Sequence, residues 1–260
     1  LEYQVQLYSE RRRVASEKIK LFSAQGFLAS PYAKRLDPQS LQALRVVSQV
    51  LPFRVNEYVL NHLIDWDRIP NDPIFRLVFP HQDMLLASEY EALLNLVNGA
   101  PDLVSRAPLV ERIRRRMNPH PAGQTTHNVP WLDGRPLQGL QHKYDQTILY
   151  FPSAGQTCHA YCTFCFRWPQ FVGMEGMKFD ARENTDLLVY LAQHPEISDV
   201  LITGGDPLIM SADSLARSIR PLLNVGTLEN IRLGSKALAY WPQRFTSDTD
   251  CDDLLRLFEE

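Results

Sequence analysis

Cys158, Cys162 and Cys165 fall within eight residues, in CHAYCTFC, while the fourth cysteine of the chain, Cys251, lies far downstream. Such close spacing is poorly suited to a disulfide framework, because bridging so short a span closes strained loops. Thiolates are soft ligands, which leaves zinc or an iron–sulfur cluster as the chemistry to consider. A structural zinc site would need a fourth ligand from His159, Cys251 or another histidine, and the sequence offers no second CxxC half. A four-iron cluster normally takes four cysteines, so three leave one iron able to bind something else, which turns the site from structural to catalytic. A second segment with chemical content is LITGGDPL, residues 201–208. Its glycines permit close backbone approach to a ligand, and Asp206 adds a carboxylate that can accept from an ammonium group; a plain tight turn is the alternative.

The elements that must carry these groups alternate. QTILYF, SDVLIT and ENIRLGS read as strands, and NTDLLVYLAQH, SADSLARSIRPLL and TDCDDLLRLFEE as the helices between and after them. That order argues for a parallel sheet with right-handed crossovers, in which functional groups collect on the loops after the strands. The cysteine loop follows the first of these strands and GGDP the second. Three βα units are too few to close a barrel.

Upstream, the chain reads as helical: residues 2–25, a helix after the Asp37-Pro38 start signal, FRVNEYVLNHLID, residues 88–97 and LVERIRRRM. IPNDPIFRLVFP looks too proline-rich for a helix and is expected to run over the surface. NPHPAGQTTHNVPWLDGRPLQGLQHKY, dense in proline and glycine, reads as a linker or clamp. The expected division is therefore a helical N-terminal region over 1–117, the linker or clamp over 118–146, and an α/β part over 147–260.

With 45% apolar residues in 260 and a net charge of −3, the chain can bury a sizeable core and has no general attraction for nucleic acid. The triplets Arg11-Arg12-Arg13 and Arg114-Arg115-Arg116 lie among acids and read as solvated faces. No apolar run suggests a membrane span or secretory leader, and clustered thiols suit a reducing, cytoplasmic setting. The start at Leu1 and the stop within an amphipathic helix suggest a fragment.

Cys-x-x-x-Cys-x-x-Cys after a strand, with GGDP one βα unit later, resembles the radical S-adenosylmethionine (SAM) superfamily. The resemblance implies the fold: α/β, a partial (β/α) radical SAM barrel with parallel strands behind a helical N-terminal region. It implies that Cys158, Cys162 and Cys165 hold a [4Fe–4S] cluster whose fourth iron is chelated by SAM. Electron transfer then cleaves SAM to methionine and a 5′-deoxyadenosyl radical that takes a substrate hydrogen. It further implies that Phe164 packs near the adenine, plain packing around the cluster being the alternative, and that Thr203, Gly204, Gly205, Asp206 and Pro207 contact the methionyl amino group.

PNDP with Arg76 and Pro80, GLQHKY, HPEISDVLITGGDPL and IRLGSKALAYWPQRF sharpen the resemblance to the lysine 2,3-aminomutase family, over residues 69–245. That family combines SAM with pyridoxal 5′-phosphate (PLP) to move an amino group between adjacent carbons of an amino acid. It implies a small-molecule amino-acid substrate and an external electron donor such as a flavodoxin or ferredoxin, with no nucleic acid or membrane partner; a homo-oligomer is left open. Arg167 matches a family arginine that pairs with the substrate carboxylate, a task its planar fork suits, and is the candidate catalytic residue; a cluster-shielding cation is the alternative. Lys143 and Gln146 match two positions that help bind the PLP phosphate, and glutamine supplies no charge there.

The chain also departs from the family. WPQF follows Arg167 where a basic run is usual. The PLP-anchoring lysine and the acids for the substrate's side-chain amine lie in a later region than the sequence reaches, so PLP is an expectation for the complete protein only. Neither Lys178 nor Lys236 is assigned as that lysine; Lys236 could salt-bridge a SAM or substrate carboxylate. His120, His127 and His142 read as ordinary hydrogen-bonding residues, and Cys251 as structural. Two other readings stay open: a PLP-independent radical SAM enzyme with another substrate, and a non-catalytic iron–sulfur or zinc-binding protein.

Overall fold

In the computed structural model, which describes residues 19–99, 103–118 and 121–260, the chain is a mixed α/β protein that divides into two compact units. An N-terminal unit takes residues 20–125 with 160–178, and a sheet unit takes 126–159 with 179–260. The cysteine loop passes from one to the other, so Cys158 belongs to the sheet unit and Cys162 and Cys165 to the N-terminal unit.

The N-terminal unit holds β1 (Leu21–Ser23), α1 (Ala24–Leu28), α2 (Pro38–Val47), β2 (Arg54–Asn56), α3 (Pro73–Val78), α4 (Ala87–Gly99) and α5 (Leu103–Met117). It differs from the sequence reading in three places. Leu21–Ser23 is a strand paired antiparallel with Arg54–Asn56, not part of a helix over 2–25; residues 2–18 of that expected helix, with Arg11-Arg12-Arg13, lie outside the described residues. In FRVNEYVLNHLID, buried Phe53 and Val55 flank half-exposed Arg54 with the two-residue period of a strand, and only a single π-helical turn, Val59–Leu63, follows. In the proline-rich segment, Pro73 occupies the first helical turn, where a missing N–H costs nothing, and Asp72 caps α3 by accepting from Phe75 N at 2.7 Å. Asp37 caps α2 in the same way through Ser40 N at 2.9 Å.

The core of this unit gathers Val46, Val47, Val50, Leu51, Leu93 and Ile113 from α2, the turn after it, α4 and α5. Arg115 and Arg116 sit on the surface with Glu111 and Glu89, as a solvated face should, whereas Arg114 turns inward and donates to the carbonyls of Gln49 and Val50, both at 2.9 Å. Carbonyls just past a helix end have no intrahelical donor, and a nearby arginine satisfies them.

The sheet unit opens with the hairpin β3 (Trp131–Leu132) and β4 (Arg135–Pro136), then β5 (Leu140–Tyr144), β6 (Thr147–Tyr150), β7 (Asp199–Ile202) and β8 (Asn230–Leu233). The sheet order is β5-β6-β7-β8, with β5 antiparallel to β6 and the other three strands parallel in the register Ile148–Val200–Ile231. Helices α6 (Thr185–Gln193) and α7 (Ala212–Leu223) join the parallel strands, and α8 (Cys251–Glu259) follows β8. The βαβαβα order read from the sequence is present. The antiparallel β5 was hidden in a stretch whose prolines and glycines suggested a linker.

The helices bury one stripe each. On α7, Ala212, Leu215, Ala216, Ile219 and Leu222 recur at helical spacing and face the core built on Ile148, Val200 and Ile202. Ser211 caps α7 through Ser214 N at 3.2 Å. Among the described residues, no helix is long and apolar enough to cross a membrane.

Candidate active site

In the sheet unit, parallel strands bring the loops after β6, β7 and β8 to the same end. The loop after β6 makes one turn at Ser153–Gly155 and leads through Gln156 and Thr157 to Cys158 and His159. The GGDP turn after β7 lies directly on it: Gly205 N donates to Gly155 O at 3.1 Å, and Asp206 N to Thr157 O at 2.7 Å. Gly205 is required by this close approach, since a Cβ there would overlap the Thr157 backbone. Gly204 is required by its φ of +146°.

Asp206 is 1% exposed and His159 fully buried. The carboxylate accepts from Leu208 N at 3.0 Å, Ser235 Oγ at 2.7 Å and Lys236 N at 3.0 Å. His159 Nε2 stands 3.7 Å from Asp206 Oδ2, beyond hydrogen-bond length, and the imidazole packs on Trp241 with centroids 5.1 Å apart. Burial by itself would raise the Asp206 carboxyl; the neighbouring imidazole and the bonds from Ser235 and Lys236 outweigh it and hold the group below the usual carboxylate range.

In the N-terminal unit, the second half of the cysteine loop is pinned residue by residue. Tyr161 N donates to Arg54 O of β2 at 3.0 Å. Thr163 donates through N to Leu77 O at 2.8 Å and through Oγ1 to Arg76 O at 3.0 Å, using carbonyls that the end of α3 leaves without helical partners. Cys165 N closes a turn onto Cys162 O at 3.1 Å. Tyr161 stacks on Phe171 at 4.6 Å, and Arg167 Nη2 donates to Gln170 Oε1 at 2.7 Å. Phe164 and Phe166, 78% and 79% exposed, flank Cys165. A cavity of about 470 Å³ in this unit is lined by Phe164, Thr163, Phe75, Phe79, Pro80 and Arg76 among others. The PNDP segment thus has a local task, which is to hold the stretch between the second and third cysteines.

Cys158 is buried, Cys162 and Cys165 are half-buried, and all are thiols. Among the described residues, no three cysteine, histidine or carboxylate side chains stand together as a ready-made ion cage. The chemistry of the donor set fits an iron–sulfur cluster: three soft thiol ligands within eight residues of sequence. Thr203, Gly204, Gly205, Asp206 and Pro207 form one turn against the base of that loop. Lys143 is not brought to it; exposed, with Nζ 5.3 Å from the Tyr144 ring, it stands beside the start of β6, at the opposite end of the strand from the cysteine loop. Gln146 serves through its carbonyl, which accepts from Ser198 N and Asp199 N.

His142 bonds Tyr190 Oη at 3.0 Å and Asp145 O at 3.3 Å, the ordinary role expected of it; His127 is exposed, and His120 lies outside the described residues. Cys251 opens α8, where burial and the adjacent Asp252 push its thiol up and keep it protonated. His159 enters the sequence reading only as a possible zinc ligand, and Ser235 and Trp241 are not singled out there. The signal for Ser235 was its place directly after the third strand, where strand-end chemistry collects.

A parallel sheet with a three-thiol loop after one strand and a glycine-rich turn after the next defines a mixed α/β protein whose motif-bearing loops follow the strand ends. No family model matches the chain. It is 32% identical over 228 residues to an Aquifex aeolicus protein provisionally named L-lysine 2,3-aminomutase, covering 88% of this chain and 49% of that protein. It is 34% identical over 111 residues to the L-lysine 2,3-aminomutase of Bacillus subtilis, covering 43% of this chain and 23% of that enzyme. A match to the enzyme of Acetoanaerobium sticklandii, 32% over 113 residues, covers 44% and 27%. The chain is a divergent member of the lysine 2,3-aminomutase family. It spans about half the length of the Aquifex relative and about a quarter of the other two.

Proposed function

We propose that the protein to which this chain belongs is a radical SAM enzyme that moves an amino group on an amino acid, as the names of its relatives suggest. The observation that carries this reading is the anchored three-thiol loop with the GGDP turn against its base. Cys158, Cys162 and Cys165 would hold a [4Fe–4S] cluster and, with SAM as its ligand, the cluster would supply one-electron cleavage of a carbon–sulfur bond and removal of a substrate hydrogen.

The chain's own residues prepare that site. Gly204 and Gly205 keep the turn after β7 low enough to lie on the loop, and the end of α3 holds Thr163 and so orients the stretch carrying Cys162 and Cys165. Phe164 offers an exposed ring beside a cavity large enough for a heteroaromatic base. Arg167, held by Gln170, presents a planar fork suited to a substrate carboxylate. An external donor such as a flavodoxin or ferredoxin would supply the electron. Among the described residues PLP has no comparable fit, because Lys143 stands at the opposite end of β6 from the cysteine loop; a PLP site is a proposal for the complete protein.

The test is anaerobic. The chain is reconstituted with iron and sulfide, reduced with dithionite, given SAM, and assayed for 5′-deoxyadenosine. The expected result is a bound cluster and 5′-deoxyadenosine from the parent chain, with iron lost in Cys162→Ala. Undiminished iron in Cys162→Ala would overturn the ligand assignment. A cluster that forms but never cleaves SAM would favour the non-catalytic iron–sulfur reading.

A further inference from the structure

The loops after β6, β7 and β8 converge on one residue, the first through its main-chain amide and the last through its side chain. Asp206 is almost wholly buried, and its carboxylate takes hydrogen bonds from Leu208 N in its own turn and from Ser235 Oγ and Lys236 N in the loop after β8. Its amide reaches Gly155 O at 3.1 Å and Thr157 O at 2.7 Å in the loop after β6. Ser235 Oγ also accepts from Ala237 N at 3.0 Å, so the hydroxyl that donates to Asp206 starts the helical turn Ala237–Tyr240. A carboxylate has about four acceptor directions. Three are filled by protein donors, and His159 Nε2 at 3.7 Å stands over the Oδ2 side. The fourth direction faces that buried imidazole, and the carboxylate is 1% exposed, so a ligand ammonium would have to move His159 aside or displace one of these donors and leave it buried and unpaired, a loss that one new hydrogen bond does not recover.

We infer that Asp206 is a positioning residue that ties the loops after β6, β7 and β8 together with Ser235 as its partner, rather than a group that contacts SAM. The contacts of the GGDP turn to SAM then fall to the main chain of Thr203, Gly204 and Gly205. Only the SAM half of this statement rests on the proposed function; the tie stands on the geometry.

The two halves are read separately. Amide exchange on the cofactor-free chain reports the tie. Asp206→Asn and Ser235→Ala should both speed exchange at residues 155–159 and 235–240, with β7 unchanged, and Ser235→Thr should restore protection. SAM affinity of the reconstituted chain, measured by equilibrium dialysis and by the change in the reduced cluster's electron paramagnetic resonance spectrum, reports the consequence. Asp206→Asn and Ser235→Ala should each weaken SAM binding about tenfold, and the double variant no more than either alone. If Ser235→Ala leaves SAM affinity and exchange untouched while Asp206→Asn loses affinity, Asp206 contacts SAM directly and the inference is wrong. If the parent chain binds no SAM, the proposed function fails, and exchange at 155–159 still decides the tie. Should Asp206→Asn not fold, Ser235→Ala alone decides: faster exchange in a loop it does not touch supports the tie, and unchanged exchange overturns it.

Discussion

Gly205 shows how much a single missing methyl group determines here. Its position against the Thr157 backbone is what lets the turn after β7 lie on the base of the cysteine loop. Gly205→Ala must push the two loops apart or strain both, a cost of roughly 1–3 kcal/mol by analogy with overpacked cores. Gly226, which has nothing within 4 Å of a built Cβ, is the control and should tolerate alanine with little change. The measurement is the urea midpoint of each variant together with its iron content after reconstitution. Gly205→Ala should lose on both and Gly226→Ala on neither; equal behaviour would mean that the close approach does not matter to the site. Little of this was legible in the sequence beyond the identity of the residues. GGDP advertises backbone approach, but not that Asp206 spends its carboxylate on Ser235 and Lys236, thirty residues away. That bond exists only once β7 and β8 are paired.

The elements were legible in proportion to their length and regularity. Strand β7 reads as a short apolar run bounded by turn residues, helices α6 and α7 show the 3.6 period over enough residues to be recognised, and the order of these elements implies the parallel sheet. Strands β1 and β2 have three residues each, too few for alternation to stand out, and their identity depends on pairing with one another. Helix α3 is masked in the sequence by prolines that read as breakers, although Pro73 stands in the first turn, where proline is favoured. That short helix has a consequence beyond its size, since its last carbonyls hold Thr163. Asp72→Ala removes the cap at the other end, and should cost about 1 kcal/mol. If α3 acts as one piece, the amide of Thr163 should exchange faster in this variant even though Asp72 does not touch it. Unchanged exchange at Thr163 would mean that the last turn of α3 holds without its cap.

At the scale of the whole chain, acid sensitivity separates the two units. In the sheet unit, the Arg232 hydrogen bond holds Asp199 below the usual carboxylate range, against a smaller upward push from burial. In the N-terminal unit, Arg116 does the same for Glu89. Both folded values lie below the unfolded ones, so each pair stabilises the chain above the ordinary carboxylate range. Each contribution is lost as pH falls from about 5 through the depressed folded values. Asp199 is the more shielded of the partners in its pair, at 12% side-chain exposure against 55% for Arg232, so removing the arginine sets burial against the Thr147 hydrogen bond alone and takes away most of what favours the charged carboxylate. Arg232→Gln should therefore flatten the acid-induced loss of amide protection in β7 and β8 while that of α4 and α5 keeps its original slope. Arg116→Gln should do the reverse. Hydrogen exchange followed by mass spectrometry between about pH 3 and 6 reads both units in one sample, after correction for the intrinsic pH dependence of exchange. Slopes that change together in either variant would show that the units respond to acid as one cooperative body, and that the cysteine loop, which passes between them, is lost with both.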